Sequence, residues 1–475
     1  MQNTEEIWRL VDAKKDAFEA LSDRVWGMPE IAYTEHRSVA EHIAMLEAEG
    51  FRITRNLAGI PTAVVGEAGK GGPVIAILGE FDALPGLSQQ AGVAEHRPVE
   101  PNGNGHGCGH NLLGSASLLA ATAVKDYLEK NGIKGRVRYY GCPAEEGGAA
   151  KGFMVRAGVF EDVDVAISWH PSAFSSVNDA LSLANTRIDF SFSGRAAHAA
   201  ASPHLGRSAL DAVELMNVGV NYMREHMPSD ARVHYALLDA GGIAPNVVQA
   251  HAKVRYLIRA RNLPELQRLI ARVRKIADGA ALMTETTVTN KVVSAVSDLL
   301  GNVPLERAMF DNLRRLGPPP FDEEDCAFAR KIQATLTEED IEAAWRRVGL
   351  PAKPGTVLCD EVVPLEAKGA AMVGSTDVGD VSWAVPTVQA RGATYAIGTP
   401  GHSWQLTAQG KTRAAHKGLA HVAKVMAGTA IDVIRDETLL ARAKADHAAR
   451  IGAHPYVCPI PEDVSPPITM SAAAE

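Results

Sequence analysis

Apolar side chains recur at helical spacing over residues 5–25, where Ile7, Leu10, Val11, Phe18, Leu21 and Val25 fall on one face. This periodicity predicts an opening helix. Gly27-Met28-Pro29 supplies the turn that ends it, and a second helix is expected over 37–49. Two short β-branched runs, 62–65 and 74–78, read as strands. Over 112–130 the apolar positions cover most of the circumference, which predicts a helix buried on nearly all sides. Further strands are expected over 136–140 and 163–168. Strands alternating with helices in this way imply an α/β fold, a mixed and mostly parallel sheet with helices on both faces.

From about residue 184 the pattern changes. A strand is expected over 186–192, a helix over 207–225, strands over 232–238 and 247–259, a helix over 263–283 and a strand over 284–293. That β-α-β-β-α-β order is the ferredoxin-like α+β plan. The expected organisation is therefore one domain made of 1–185 and 297–475, interrupted by an inserted domain at 186–296. In the returning half, the stretch 317–368 is polar, acidic and Pro-rich, and shows only helical patches. Residues 393–397 look like a strand, an amphipathic helix follows from about 412, and the Pro-rich tail from 459 is expected to run extended over the surface.

Composition narrows the function classes. The 475 residues are 46% hydrophobic and 22% charged, enough for a large core and more than one domain. Lys plus Arg falls short of Asp plus Glu by 48 − 56 = −8, and without a long basic run nucleic acid is not expected as a partner. The first twenty residues are acidic and amphipathic, so no secretory leader is expected. The most apolar run, 112–124, is too short to span a bilayer, so no membrane partner is expected. Cys108, Cys142, Cys326, Cys359 and Cys458 are scattered and odd in number, which points to thiols in a reducing cytoplasm rather than to disulfides.

The chemistry concentrates in residues 102–111. Glycine occupies every second position from Gly103 to Gly109, with His106, Cys108 and His110 between and after. Cys and His two apart can share one borderline-soft ion such as zinc. Asp82, Glu145, Glu146 and His170 all fall just past predicted strand ends, where ligands of such sheets bind, and His402 follows the strand-like run 393–397. Each has a bland alternative as a turn former, a solvated carboxylate or a packed histidine. Their joint placement at the ends of one sheet favours two metal ions held by Cys108, His110, Glu146, His170 and His402. In the adjacent pair, one carboxylate would ligate and its neighbour would activate water. The G-x-S-x-G elbow, the phosphate-binding P-loop and the H-E-x-x-H helix are all missing.

In order along the chain, GEFDALPG, HGCGHNLLG, PAEEGG, SWHP, GRAAHAAASP, GGIAPNVVQ and GTPGHSW resemble the segments of the amidohydrolase branch of the M20 metallopeptidases. The resemblance implies a zinc-exopeptidase-like catalytic domain with an inserted dimerisation or lid domain. It implies Cys108, His110, Glu146, His170 and His402 as ligands of two divalent ions, Zn or Mn, and Glu145 as general base. His198 matches a histidine that reaches a neighbouring subunit's site, Asn246 and Arg259 match residues that hold the substrate, and Asp82 matches an aspartate that orients a ligand. Asn111 stands where most members carry Asp, which bears on ligand tuning and metal occupancy. The implied reaction is hydrolysis of an N-acyl or N-aroyl amino acid, p-aminobenzoyl-glutamate (a folate breakdown product) being the first expectation. A dipeptidase, an aminoacylase or a non-catalytic metal-binding subunit are the alternatives. The implied assembly is a homodimer, or a heteromer with a related A subunit.

Overall fold

In the computed structural model of the chain, which describes residues 4–177, 182–367, 369, 374–452 and 455–469, strands and helices alternate along the first third and again near the C-terminus. The strands, in chain order, are β1 (Arg52–Arg55), β2 (Val64–Lys70), β3 (Val74–Glu80), β4 (Gly135–Cys142), β5 (Val165–Ser172), β6 (Ser176–Val177), β7 (Ala184–Ser193), β8 (Arg232–Asp239), β9 (His251–Ala260), β10 (Thr287–Val296) and β11 (Thr387–Ala393). One sheet has the order β1-β2-β4-β3-β5-β11-β6. Its centre, β4, β3, β5 and β11, is parallel, and the margins β1, β2 and β6 pair antiparallel.

β3 is buried along its whole length, as a central strand covered on both faces must be. Its alternation feeds two cores. Ile75 and Ile77 pack with Leu112, Leu113 and Leu419, from the helices His110–Asn131 and Arg413–Arg435. Val74, Ala76 and Leu78 face Phe153, Met154, Val378 and Val381, from Ala150–Arg156 and Val378–Ala384. Trp169 of β5 is fully buried and donates its indole N–H to the Leu113 carbonyl at 3.0 Å, which fixes the long helix against the sheet.

The second sheet has the order β10-β7-β9-β8, antiparallel throughout. Ile188, Phe190, Val254, Tyr256 and Ile258 face the helices Ala209–Met223 and Leu263–Thr284. The other face carries Asn185, Arg187, Asp189, Arg255, Leu257 and Arg259, and β8 and β10 are the sheet's two edges.

Several expected elements differ. The strand placed at 393–397 is instead β11, Thr387–Ala393. Its pairing with β5 ends where β5 ends, Thr394 N–H donating to Ser172 O at 2.9 Å, and beyond that rung no strand is left to pair with among the described residues. The excursion 317–368 contains two capped helices, Glu323–Gln333 and Glu338–Val348, whose Trp345 packs on Phe174; Lys368 lies outside the described residues. Helices at Val303–Leu316 and Glu437–Gly452 were not expected, and of the tail only 459–469 falls within the described residues.

Candidate metal and active site

The parallel strands all deliver side chains to one end of the sheet. β3 ends in Glu80 and Asp82 follows; β4 runs into the Glu145-Glu146 turn; β5 carries His170 near its C-terminal end, inside the strand rather than past it. The glycine loop lies across these ends because Leu84 and Gly105 exchange backbone hydrogen bonds of 3.0 and 2.9 Å. Gly105 has to be glycine: a Cβ there would stand 1.9 Å from the Leu87 carbonyl oxygen. His402 adopts a left-handed φ of 54° and donates its N–H to Gly107 O at 3.0 Å, closing the loop from the far side. In the carboxylate turn, Ala144 N–H donates to Glu35 Oε1 and Glu146 N–H to Asp82 Oδ2, each at 2.9 Å.

These supports aim the ligand atoms. His110 Nδ1 gives its hydrogen to Asp82 Oδ1 at 2.9 Å, and His170 Nδ1 to Pro171 O at 2.8 Å, so both rings present Nε2. Cys108 Sγ lies 3.3 Å from His170 Nε2, and Glu146 Oε1 lies 3.3 Å from His402 Nε2. Three overlapping groups result: Cys108, His110 and His170; Cys108, Glu146 and His402; and Glu80, His110 and Glu145, each with ligand atoms within 4.8 Å of one another. Cys108 belongs to two of them, an arrangement suited to a pair of ions.

The electrostatics ask for positive charge. Burial, and then the charge of Glu146, push the Cys108 thiol well above its ordinary range. Burial, and then Glu80 and Glu146, push Glu145 far up as well. Glu146 is held near 2 although burial opposes it, because His402 and His110 stand beside it. His170 falls to about 3 through burial and the neighbouring Arg391, so its ring is neutral and free to ligate. His110 Nε2 and Glu146 Oε1 are buried and accept no hydrogen bond among the described residues. A thiol, three imidazoles and carboxylates gathered in one buried cluster are a donor set for divalent metal ions, and a divalent ion would lower the thiol and carboxyl pKa values together.

The cluster opens into a cavity of about 1020 Å³ lined by Cys108, Glu145, Glu146, His170, His402 and, from the second sheet, Arg259. Of the nearby arginines, Arg255 is engaged with Asp189 at 2.6 and 3.0 Å and Arg261 is exposed elsewhere, whereas Arg259 donates to Ser375 Oγ at 3.0 Å. His198 and Asn246 do not line this cavity. They lie together on an exposed surface of the second sheet's connections, where Ala199 N–H donates to Asn246 O. There His198 Nδ1 accepts from the N–H groups of Ala200 and Ala201, which leaves Nε2–H pointing outward.

The Asn111 amide donates to Ser22 Oγ at 2.9 Å and to Gly410 O at 3.1 Å, and a carboxylate could not make the second of these bonds. His106 is spent on packing, its Nε2 bonded to Val25 O. Sequence reasoning passed over Glu80, Lys151 and Asp377. The fully buried Lys151 Nζ lies 2.6 Å from Glu80 Oε1 and 2.6 Å from Asp377 Oδ1, and the other Glu80 oxygen stands 3.3 Å from His110 Nε2. A polar GE pair at the end of an otherwise apolar strand was the available signal for Glu80.

The sequence model of peptidase family M20/M25/M40 matches residues 76–348. The chain is 49% identical to the B subunit of p-aminobenzoyl-glutamate hydrolase of Escherichia coli, over 97% of this chain and 99% of that protein. It is 30% identical to the Xaa-Arg dipeptidase of Mus musculus, covering 90% and 88%. A dinuclear metal-binding peptidase of the M20 family from Bacillus subtilis shares the fold with a TM-score of 0.56 and 17% identity, covering 89% of this chain and 99% of that one.

Proposed function

Because the chain belongs to peptidase family M20/M25/M40 and is a metal-dependent hydrolase, we propose that it cleaves the amide bond of p-aminobenzoyl-glutamate, releasing p-aminobenzoate and glutamate. The observation that carries the substrate is the 49% identity over 97% of the chain to a hydrolase named for it. Zinc or manganese suits the Cys108, His110, Glu146, His170 and His402 donor set. When bound, such ions polarise a carbonyl and acidify water. We assign the remaining work to this chain's own side chains. Glu145 takes one proton from the attacking water; the hydroxyl oxygen bonds to the carbonyl carbon, the C–N bond breaks, and Glu145 returns that proton to the departing nitrogen. Arg259 holds the α-carboxylate in a two-pronged pairing.

His198 and Asn246 would act in a second copy's cavity, His198 donating its Nε2–H to the carbonyl oxygen. A dimer through the inserted segment 186–296 is supported by Tyr222, Tyr235, Leu237, Leu238 and Ile243, exposed beside the open β8 edge. A homodimer is the simplest assembly. A heteromer with an A-type subunit is the alternative, favoured because the hydrolase of Escherichia coli has both an A and a B subunit and this chain is similar to each. We place the protein in the cytoplasm on its five unpaired cysteines; among the described residues no helix is long and apolar enough to cross a membrane.

The 30% identity to a dipeptidase favours a second reading, hydrolysis of Xaa-Arg dipeptides. Purified chain reconstituted with zinc or manganese, assayed on N-aroyl amino acids and Xaa-Arg dipeptides side by side, separates the two. Release of glutamate from p-aminobenzoyl-glutamate at the highest kcat/KM of the panel supports the first reading; a preference for the dipeptides replaces it.

A further inference from the structure

Two guanidinium groups enter the active-site cavity from one face of the second sheet. Asn185 and Arg259 are direct partners across β7 and β9, so Arg187, two residues on, is the diagonal neighbour of Arg259 on the same face. Such positions stand roughly 7–8 Å apart, within converging reach of two long side chains. Both arginines line the cavity together with Glu145 and His170. Both are half-buried, and among the described residues neither has a carboxylate partner. Arg187 Nη1 donates to the Gly147 carbonyl at 3.2 Å, and Arg259 Nη1 to Ser375 Oγ at 3.0 Å. The next pair along the same face shows the contrast: Asp189 and Arg255 close on each other in a two-pronged ion pair. Two half-buried guanidinium groups with no direct ion-pair partner among the described residues are costly to hold, and a ligand carrying two negative charges reduces that cost.

Arg187 is also fixed in place. Its guanidinium packs on Gly147, where an added Cβ would stand 3.1 Å from Nη1, so the glycine after the carboxylate pair leaves room for it. One prong is used on the Gly147 carbonyl, and the remaining donors are available to the cavity. Burial, and then Arg255 and Arg259, disfavour its charge, which an incoming anion would offset.

We infer that Arg187 is a specificity residue that binds a second carboxylate on the released amino acid, so that the cavity selects N-acyl derivatives of acidic amino acids. This rests on the proposal that the site cleaves N-acyl amino acids, with Arg259 on the α-carboxylate. It assigns the side-chain carboxylate to a different residue and sheet position.

The test compares N-benzoylglutamate with N-benzoylglutamine, equal in shape and one charge apart. Calorimetric binding to the purified chain and kcat/KM of the metal-loaded enzyme are measured for wild type, Arg187→Gln and Arg187→Lys. A charge-assisted hydrogen bond corresponds to a preference of roughly ten- to a hundred-fold for the glutamate compound in wild type. Arg187→Gln should cut that preference to about two-fold, almost wholly through the glutamate compound, and Arg187→Lys should keep part of it. Equal losses for both compounds would make Arg187 only a latch on the Gly147 turn, and equal binding of both by wild type would also overturn the inference. If metal-loaded wild type hydrolyses neither compound, the proposed function fails, and the binding arm still decides the role of Arg187.

Discussion

Replacing Lys151 by Met removes the positive charge between two buried carboxylates and tests whether the floor of the site is an electrostatic unit. Lys151 is fully buried, its Nζ is 2.6 Å from both Glu80 and Asp377, and its own N–H donates to Asp377 Oδ2 at 3.0 Å. Burial alone would strip its proton, but Asp377 and Glu80 outweigh that and hold it firmly charged. Breaking a buried ion pair by removing one partner costs about 3–5 kcal/mol, because the other charges stay buried without compensation. If the 475 residues unfold together, the unfolding entropy is about 1 kcal/mol per degree, so the loss appears as a Tm lower by on the order of 3–5 °C. Scanning calorimetry at pH 7 reads it directly. Burial already raises the folded-state pKa of Asp377 against the pull of Lys151, and without that lysine the rise grows, so its proton-linked stability is present at low pH and lost as pH rises. The deficit should therefore shrink on going from pH 7 to 5. Adding Asp377→Asn removes one stranded charge and should restore part of the Tm. A Tm change below about 1 °C, or no rescue by Asp377→Asn, would refute the reasoning.

Arg259→Lys should raise KM by roughly ten- to a hundred-fold for a free-acid substrate and much less for its amide, since Lys cannot copy the two-pronged pairing; equal effects on both would remove Arg259 from carboxylate binding. Mixing inactive His198→Ala chains with inactive Glu145→Gln chains should restore activity through hybrid sites. No recovery after demonstrated subunit exchange would contradict the shared site. His42 is buried and lowered to about 3 by burial, then by Arg24, and its ring stacks on Tyr139. Its folded pKa is depressed, so its stability contribution is present above pH 6.5 and lost as pH falls toward 3. Urea unfolding from pH 7 to 4 should show a slope that His42→Phe reduces by about 1.4 kcal/mol per pH unit. Identical slopes would refute it.

Much of this architecture could be read from periodicity because apolar burial sets it. β3 has two buried faces and the His110–Asn131 helix is buried almost all round, and the sequence pattern of each says so. The cluster that could hold metal was legible for a different reason: Cys, His and paired Glu among glycines are rare enough to stand out. What stayed hidden depends on partners far away in the chain. β11 contains Gln389 and Arg391 and does not look apolar, yet it is a strand because β5 and β6 flank it; the more apolar stretch after it has no strand to pair with among the described residues. Lys151 sits in an unremarkable AAKGF stretch, and only its meeting with Asp377, 226 residues away, gives it meaning. Asn111 stood out only as a departure from the family pattern; its hydrogen bonds to Ser22 and Gly410, far away in the chain, could not be read from the sequence. Arg187 gave no motif at all; the register of β7 against β9 puts it beside Arg259.

In the proposed mechanism Glu146 belongs to the ligand set while Glu145, next to it, moves the proton. Metal content and turnover of p-aminobenzoyl-glutamate, measured together on Glu145→Gln, separate the two roles. Metal per chain should equal wild type and turnover should fall by about 10²–10⁴, the range for losing a general base. Retention of most activity would contradict it. So would loss of metal along with activity, which would make Glu145 a ligand, consistent with its place beside Glu80 and His110.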